Sequence, residues 1–183
     1  SGDYNLELTS LKDHSNLKIV FLSQLRIPDG RVLDPIVRPF AAAPNLSNLT
    51  IRIPRKRKDM VTSDTLSMLT SSASLKVLEL RRIVLRDEQI IQDAEDLESN
   101  TKMKEVTIQC DDCLRETCCT AIGEMLTSNS SITRLEIWGH KVVEDGFVFI
   151  INSLRRNKTL KVLHLSHDIA SKGNEALAEL LKH

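Results

Sequence analysis

The amino-acid sequence predicts an α/β fold in which short strands alternate with helices and form a single parallel sheet. Three observations support this prediction. An apolar triplet with the spacing L-x-x-L-x-L occurs six times, successive triplets begin 28 or 29 residues apart, and a helical pattern of apolar residues separates them. A period of this length indicates a repeat architecture, in which stacked strand–helix units share one continuous core.

Each predicted strand is centred on one apolar triplet. The triplets are Leu17/Val20/Leu22, Leu46/Leu49/Ile51, Leu75/Leu78/Leu80, Met103/Val106/Ile108, Ile132/Leu135/Ile137 and Leu160/Leu163/Leu165. Because side chains alternate along a strand, the residues between these apolar anchors are expected on the opposite face of the sheet.

Each predicted helix ends six residues before the next triplet, and its last apolar residue is Phe40, Leu69, Leu97, Leu126 or Leu154. Apolar or small residues precede it by three, four, seven and eight positions. Phe147, Ile150 and Ile151 show this pattern before Leu154. Such a stripe is typical of a helix that packs on a core.

This combination of spacing and helix resembles the leucine-rich repeats, and the period resembles their ribonuclease-inhibitor-like subclass. The final segment 173–181, GNEALAELL, is similar to the helix of that subclass. The resemblance implies a horseshoe-shaped α/β leucine-rich-repeat solenoid, with a parallel sheet on the concave face and helices on the convex face. It also implies an Asn three residues after each third apolar anchor. Those positions hold Leu25, Pro54, Ile83, Asp111, His140 and Asp168 instead.

The predicted domain covers residues 3–183 and contains about six repeats. Residues 3–13 have the pattern of a helix without its strand, and 173–182 form a helix with no strand after it. We therefore expect one leucine-rich-repeat domain that is part of a longer array. Ser1 and Gly2 are interpreted as the remnant of a cleaved tag.

All four cysteines of the chain lie within residues 110–119. Cys113 and Cys119 occupy repeat positions that are mostly apolar elsewhere, Cys118 occupies the start of a helix, and Cys110 is expected near the surface. Since a structural zinc needs four converging ligands, normally two pairs from different segments, and these four cysteines lie in one short run, core packing is favoured over a metal site or an internal disulfide. We expect no metal and no cofactor.

The composition points to an intracellular protein. The 25 basic and 25 acidic residues balance, no apolar run reaches the roughly 18 residues of a membrane span, and no signal peptide is visible. Four N-glycosylation sequons, at Asn45, Asn48, Asn129 and Asn157, are a contrary indication. We expect a cytoplasmic location.

The strand residues that face away from the core carry the predicted function. They include aromatic side chains beside Arg and Glu, a combination typical of protein interfaces, although Trp138 could instead fold back over a neighbouring loop. The candidate contact residues are Phe21, Arg52, Glu79, Arg81, Arg134, Glu136, Trp138 and His164. We therefore expect a non-catalytic scaffold that binds another protein on the concave face.

A basic run follows the second triplet and supports other interpretations. Arg55, Lys56, Arg57 and Lys58 are expected in a strand-to-helix loop, with Arg82 stacked beside them. The basic edge at 52–58 and 81–86 could bind an anion such as a phosphoinositide or an acidic protein, serve as a nuclear-import signal, or only be solvated. Nucleic acid is disfavoured because no aromatic residue interleaves with the run. Regulation of a small GTPase, which is the activity of a relative of the subclass, is a further alternative, although no residue here can be matched to the site of that relative.

The sequence offers no catalytic motif. Glu79, Glu105 and Glu136 could approach one another across adjacent strands, but Arg81 and Arg134 would neutralise them. We expect that the protein is not an enzyme.

Overall fold

A computed structural model describes residues 16–25, 32–58, 61–109, 114–139, 142–165 and 171–181; the side chains of 55–58 and 171–174 are not described. Six strands alternate with six helices in this part of the chain. The strands are β1 (Ile19–Ser23), β2 (Asn48–Lys58), β3 (Val77–Val84), β4 (Glu105–Gln109), β5 (Arg134–Trp138) and β6 (Val162–Leu165). The helices are α1 (Asp34–Ala41), α2 (Ser63–Thr70), α3 (Asp87–Ser99), α4 (Glu116–Ser128), α5 (Glu144–Leu154) and α6 (Ser171–Leu180).

The six strands form one parallel sheet in sequence order, β1 to β6. Their register places the same repeat position of neighbouring units side by side, so that Ile19 lies opposite Asn48 and Asn48 opposite Val77. The α/β architecture predicted from the sequence is confirmed and is consistent with a leucine-rich-repeat-like fold. The horseshoe curvature and the helix over 3–13 stay predictions, and residues 3–13 lie outside the described part.

One face of the sheet and the apolar stripes of the helices form the core. Strand anchors such as Leu49 and Leu78 belong to the same buried cluster as Leu69 of α2 and Leu97 of α3. Most of its members are aliphatic, and they bury their side chains almost completely. On the other face of the sheet most side chains are exposed or half-buried. We call this the open face.

The strands β2 and β3 run beyond the repeat pattern. Pairing shifts between Arg52 and Arg57, after which Arg57 lies opposite Ile83 and Lys58 opposite Val84. Because Ile83 and Val84 are buried, continuing both strands protects their backbone hydrogen bonds. The predicted loop location of the basic run 55–58 is therefore wrong, since its backbone belongs to β2.

Arg82 lies within β3, where the pairing of β3 with β2 shifts. Its backbone is in the left-handed region, with φ of 65°, a conformation that residues other than glycine rarely adopt. The Arg82 amide donates a hydrogen bond of 2.7 Å to the side chain of Gln109, and its guanidinium donates to the carbonyl of Pro54. These bonds from β4 and β2 hold the strained residue in place.

Asparagines join consecutive units in the loops that lead from helix to strand. The amide nitrogen of Asn129 donates to the carbonyls of Leu97 and Asn100 in the preceding unit, at 2.7 and 2.9 Å. Its amide oxygen accepts the backbone N–H groups of Ser131 and Ile132 of its own loop, both at 2.8 Å. Buried Asn129 thus satisfies four backbone groups at once.

Asn100 and Asn157 repeat this arrangement one unit before and one unit after. Each donates to two carbonyls of the previous unit and accepts two amides of its own loop. We call these three residues the asparagine ladder. The ladder was not predicted, although its signal, an Asn three residues before the first apolar anchor, is present in the sequence. It also engages the amides of two predicted sequons, Asn129 and Asn157.

The cysteines of α4 pack in the core. Cys118 and Cys119 are fully buried thiols, and Gly146 of α5 lies so close to Cys119 that a Cβ there would be 2.6 Å from Sγ. Burial, followed by the negative charge of Asp87, raises the pKa of Cys118 to about 12, so its thiol stays protonated. The packing role predicted for Cys119 is confirmed, whereas Cys110 and Cys113 lie outside the described residues.

Among the described residues, no group of three or more His, Cys, Asp or Glu side chains is placed to hold a metal ion. The described helices also include none with the length and apolar character needed to cross a membrane.

Asp93 carries a buried carboxyl group. Asp93 of α3 is 3% exposed, and its Oδ1 has no hydrogen-bond partner. Burial, and secondarily the charge of Asp96, raises the pKa of Asp93 well above its ordinary value. The folded state therefore favours the protonated form of this side chain.

Replacing the central member of the asparagine ladder should weaken the fold. We expect Asn129→Ala to lower the free energy of unfolding by about 2–4 kcal/mol, because two buried carbonyls and two buried amides lose their partner. Urea denaturation followed by circular dichroism measures this. The exposed neighbour Ser130 provides the control, and Ser130→Ala should stay within about 0.5 kcal/mol of the parent protein. Equal effects of the two changes would contradict the ladder's role.

Asp93→Asn should stabilise the protein at neutral pH. Because the folded-state pKa is raised, the contribution of Asp93 to stability is greatest below the unfolded pKa of about 3.9 and is lost as pH rises through the folded pKa. Between those two pKa values the free energy of unfolding falls by about 1.4 kcal/mol per pH unit. The gain from Asp93→Asn should therefore be present at pH 7 and vanish near pH 3. Urea denaturation at both pH values, with the exposed Glu95→Gln as control, measures it. A gain that is the same at pH 3 and pH 7 would contradict the argument.

Candidate functional site on the open face of the sheet

A cluster of charged and aromatic side chains lies on the open face across β3, β5 and β6. Its members alternate with buried anchors of the same strands, so they point away from the core. We call it the open-face cluster; it consists of Glu79, Arg81, Arg134, Glu136, Trp138 and His164. Six of the eight predicted contact residues therefore come together in the structure.

Glu136 lies at the centre of this cluster and is only 5% exposed. Its Oε1 accepts hydrogen bonds from the guanidinium of Arg134, at 2.7 Å from Nε and 2.5 Å from Nη2. Its Oε2 accepts the indole N–H of Trp138 at 3.1 Å and lies 3.9 Å from Nη2 of Arg81. The carboxylate is thus held from three sides.

These contacts keep Glu136 ionised. Burial by itself raises the pKa of the Glu136 carboxyl, but the hydrogen bonds from Arg134 and Trp138 and the charges of Arg134 and Arg81 lower it, and the net pKa lies below its ordinary value. A carboxyl group with a lowered pKa cannot serve as a proton donor near neutral pH. Its contribution is to fix the positions of its neighbours.

The two rings of the cluster stack on each other. The centroids of Trp138 and His164 are 4.4 Å apart with an angle of 26° between the planes. Since the indole also donates to Glu136, the ring lies along the sheet toward β6, with both its orientation and its polar atom fixed.

Phe21 and Arg52 lie apart from the cluster, toward β1. Phe21 pairs across Thr50 with Glu79, so two strand spacings, roughly 10 Å, separate it from the first residue of the cluster. Phe21 and its neighbour Ile19 are 63% and 67% exposed. They form an apolar end of the open face.

A shallow depression begins beside Phe21. It is lined by Phe21, Ser23, Gln24, Arg52, Ile53, Pro54 and Arg82. The Arg82 guanidinium reaches the second repeat by donating to the carbonyl of Pro54, and the predicted basic patch of Arg82 with residues 55–58 stays a prediction. The side chains of Arg55, Lys56, Arg57 and Lys58 lie outside the described part.

The three glutamates that the sequence brought into consideration, Glu79, Glu105 and Glu136, occupy separate positions in the sheet. In the sheet Thr107 lies between Glu79 and Glu136, and Glu105 belongs to a different row, opposite Val77 and Arg134. The register therefore places none of these three carboxylates directly opposite another. Glu79 instead forms a 3.1 Å ion pair with Arg81.

A second charged surface, not predicted from the sequence, lies at the amino ends of the strands. The residue after each first anchor is Lys18, Ser47, Lys76, Lys104, Thr133 or Lys161, and backbone hydrogen bonds join these positions in order. All four lysines are exposed. We call them the lysine row.

The protein resembles solved structures of known domains in fold. It matches the structure titled leiomodin-1 actin-binding site 2 with a TM-score of 0.64 and 17% identity, covering 85% of this chain and 90% of that one. It matches the tropomodulin C-terminal domain of Caenorhabditis elegans with a TM-score of 0.52 and 10% identity, covering 99% and 92%. No protein-family model and no curated protein sequence matches the chain.

These structural neighbours correct one prediction. The assignment to the ribonuclease-inhibitor-like subclass is wrong, because the matching folds are those of leiomodin-1 and tropomodulin. The absence of Asn three residues after each third apolar anchor already differed from the pattern of that subclass. In this chain asparagines instead join the units at the other end of the strands, in the loops that lead from helix to strand.

Neutralising the central carboxylate should loosen the cluster. We expect Glu136→Gln to lower the free energy of unfolding at pH 7 by about 1 kcal/mol, a modest loss because Arg81 and Arg134 are partly solvated. Because the folded-state pKa of Glu136 is lowered, its stabilisation exists above the unfolded pKa and is lost as pH falls through the folded pKa. The difference between variant and parent should begin to shrink below the unfolded pKa of roughly 4.3 and should keep shrinking as pH falls further.

Chemical denaturation at pH 7 and pH 3 measures this difference. The matched control is Glu105→Gln, on the same face, for which the described residues show no ion pair. It should change stability by less than about 0.5 kcal/mol. An undiminished effect of Glu136→Gln at pH 3 would contradict the electrostatic explanation.

Proposed function

We propose that this protein is a non-catalytic recognition module that binds another protein on the open face of its sheet. The observation that carries the proposal is the open-face cluster, in which Glu136 fixes Arg134 and Trp138 before any partner arrives. Aromatic and Arg side chains are enriched where interfaces concentrate their binding energy. Side chains already held in one conformation lose less entropy on binding, which favours affinity.

The chemistry of the open face supports recognition and not turnover. Glu79 and Glu136 are each paired with an Arg, and the lowered pKa of Glu136 removes it as a general acid. The face is also broad: the apolar residues Ile19 and Phe21 lie at one end and the Trp138–His164 stack at the other. A partner that spans this distance would meet an apolar patch and a charged cluster on the same rigid sheet.

The structural neighbours suggest which partner to test first. The leiomodin-1 structure is titled for an actin-binding site, and actin is therefore our first candidate partner. At 17% identity the similarity supports the fold, and the choice of actin is part of the proposal.

We place the protein inside the cell as part of the same proposal. Two features of the fold support this location. The amide of Asn129, a predicted sequon, is buried and bonded to four backbone groups, and Cys118 is a buried, reduced thiol.

Removing the Trp138 ring should weaken partner binding. We expect Trp138→Ala to lower affinity at least about tenfold, since a pre-ordered aromatic side chain is the kind of residue that dominates an interface. Co-sedimentation with filamentous actin, and calorimetric titration with monomeric actin, measure the affinity. If actin does not bind, the same comparison is made with a partner identified by cross-linking to the immobilised protein.

The matched control is Phe149→Ala, which removes an aromatic ring that is 42% exposed but lies on α5. It should change affinity less than about twofold, with both variants checked for folding by circular dichroism. Equal affinity of Trp138→Ala and the parent protein for a confirmed partner would overturn the open-face assignment.

A further inference from the structure

The charged residues in the loops that lead from helix to strand are all basic. The five loops at 42–47, 71–76, 99–104, 129–133 and 155–161 contain seven Lys or Arg residues and no Asp or Glu. Because the chain has zero net charge, the acidic residues that balance these seven basic ones lie in other parts of the molecule. The groove between α3 and α4 is one such place, lined by Glu95, Glu98, Glu116 and Glu124. The amino-terminal edge of the sheet is therefore a basic surface.

The lysine row forms the sheet side of this edge. Because neighbouring strands lie about 4.8 Å apart, Lys76 and Lys104 are adjacent, whereas Lys18 and Lys161 each lie two strands, about 10 Å, beyond them. Within the described residues no carboxylate forms an ion pair with any of the four. Their ammonium groups are exposed and available to a partner.

The residues beside the lysine row on the open face are mixed in character. The adjacent row consists of Ile19, Asn48, Val77, Glu105, Arg134 and Val162. Ile19 and Val162 are exposed apolar side chains, and Glu105 is the single acid. A basic line whose neighbouring row is mostly apolar or neutral, with one acid and one base, complements a protein surface that presents carboxylates beside apolar side chains.

The same arrangement is unfavourable for the other polyanions. Single-stranded nucleic acid needs aromatic rings on which bases stack, and the described residues of this edge include no exposed aromatic ring other than Phe21 at one end. An anionic bilayer would attract the lysines but would repel the acidic helices of the same small domain.

We propose that the lysine row docks an acidic segment of a protein partner, with its carboxylates on Lys18, Lys76, Lys104 and Lys161 and its apolar side chains over Val77 and Val162. This deepens the proposed function and rests on it, since it names the chemistry of the partner that the open face receives. Electrostatic attraction along this edge would orient the partner on approach and speed association.

The test uses a fluorescent ten-residue peptide of alternating Glu and Val as the acidic probe. Fluorescence anisotropy at low salt measures its affinity for the parent protein and for Lys76→Gln/Lys104→Gln. We expect the double variant to bind about fivefold more weakly, and the parent affinity to fall steeply as salt is added. The control is Arg38→Gln/Arg115→Gln, which changes net charge equally on α1 and just before α4 and should bind within about twofold of the parent.

Three results would overturn the proposal. The first is an equal loss of peptide affinity in both double variants. The second is tighter binding of single-stranded DNA or phosphatidylserine vesicles than of the peptide. The third is salt-sensitive self-association, which would show that the acidic α3–α4 groove of a second copy occupies the lysine row.

The proposed function is tested separately, by the effect of Trp138→Ala on the affinity for the protein partner. If partner binding depends on Trp138 but is unchanged in Lys76→Gln/Lys104→Gln, only the lysine-row proposal fails; if it is independent of Trp138, the open-face function fails.

Discussion

Parallel pairing between units of nearly constant length is the constraint on which the rest of this structure depends. When each strand pairs in register with the next, residues at one repeat position line up across the sheet, as Ile19, Asn48 and Val77 do. One unit cannot bury its apolar stripe alone, so stability comes from the interfaces between units. The same alignment that builds the aliphatic core also builds continuous rows on the open face and at the strand ends. Core and candidate surfaces are therefore two consequences of one register.

The asparagine ladder shows how this register is kept where no strand is present. A helix-to-strand loop leaves backbone groups without regular partners, and in a buried loop each unpaired group is costly. Asn is suited to this position because its amide both donates and accepts. Ser72, one unit before the ladder, partly replaces it through a hydroxyl that accepts from Ser74 and Leu75. The early units thus rely on weaker bonds than the later ones.

The open face and the amino-terminal edge use charge in different ways. In the open-face cluster the charges are paired with one another, so Glu136, Arg134 and Arg81 contribute shape and rigidity more than net attraction. Along the lysine row the charges have no such partners within the described residues, so they produce a field that reaches into solvent. A partner that uses both would be oriented by the edge and held by the face.

The sequence by itself determined the repeat length, the order of strands and helices, and which strand residues leave the core. Those features follow from the apolar period, and Glu79, Trp138 and His164 could be placed on one face by strand alternation alone. Distances between units, however, depend on side-chain conformations. Only the tertiary structure decided that Glu136 is buried between Arg134 and Trp138, that Thr107 separates the carboxylates, and that β2 extends through the basic run. The physical reason is that periodicity fixes the direction of a side chain but not the neighbour that it meets.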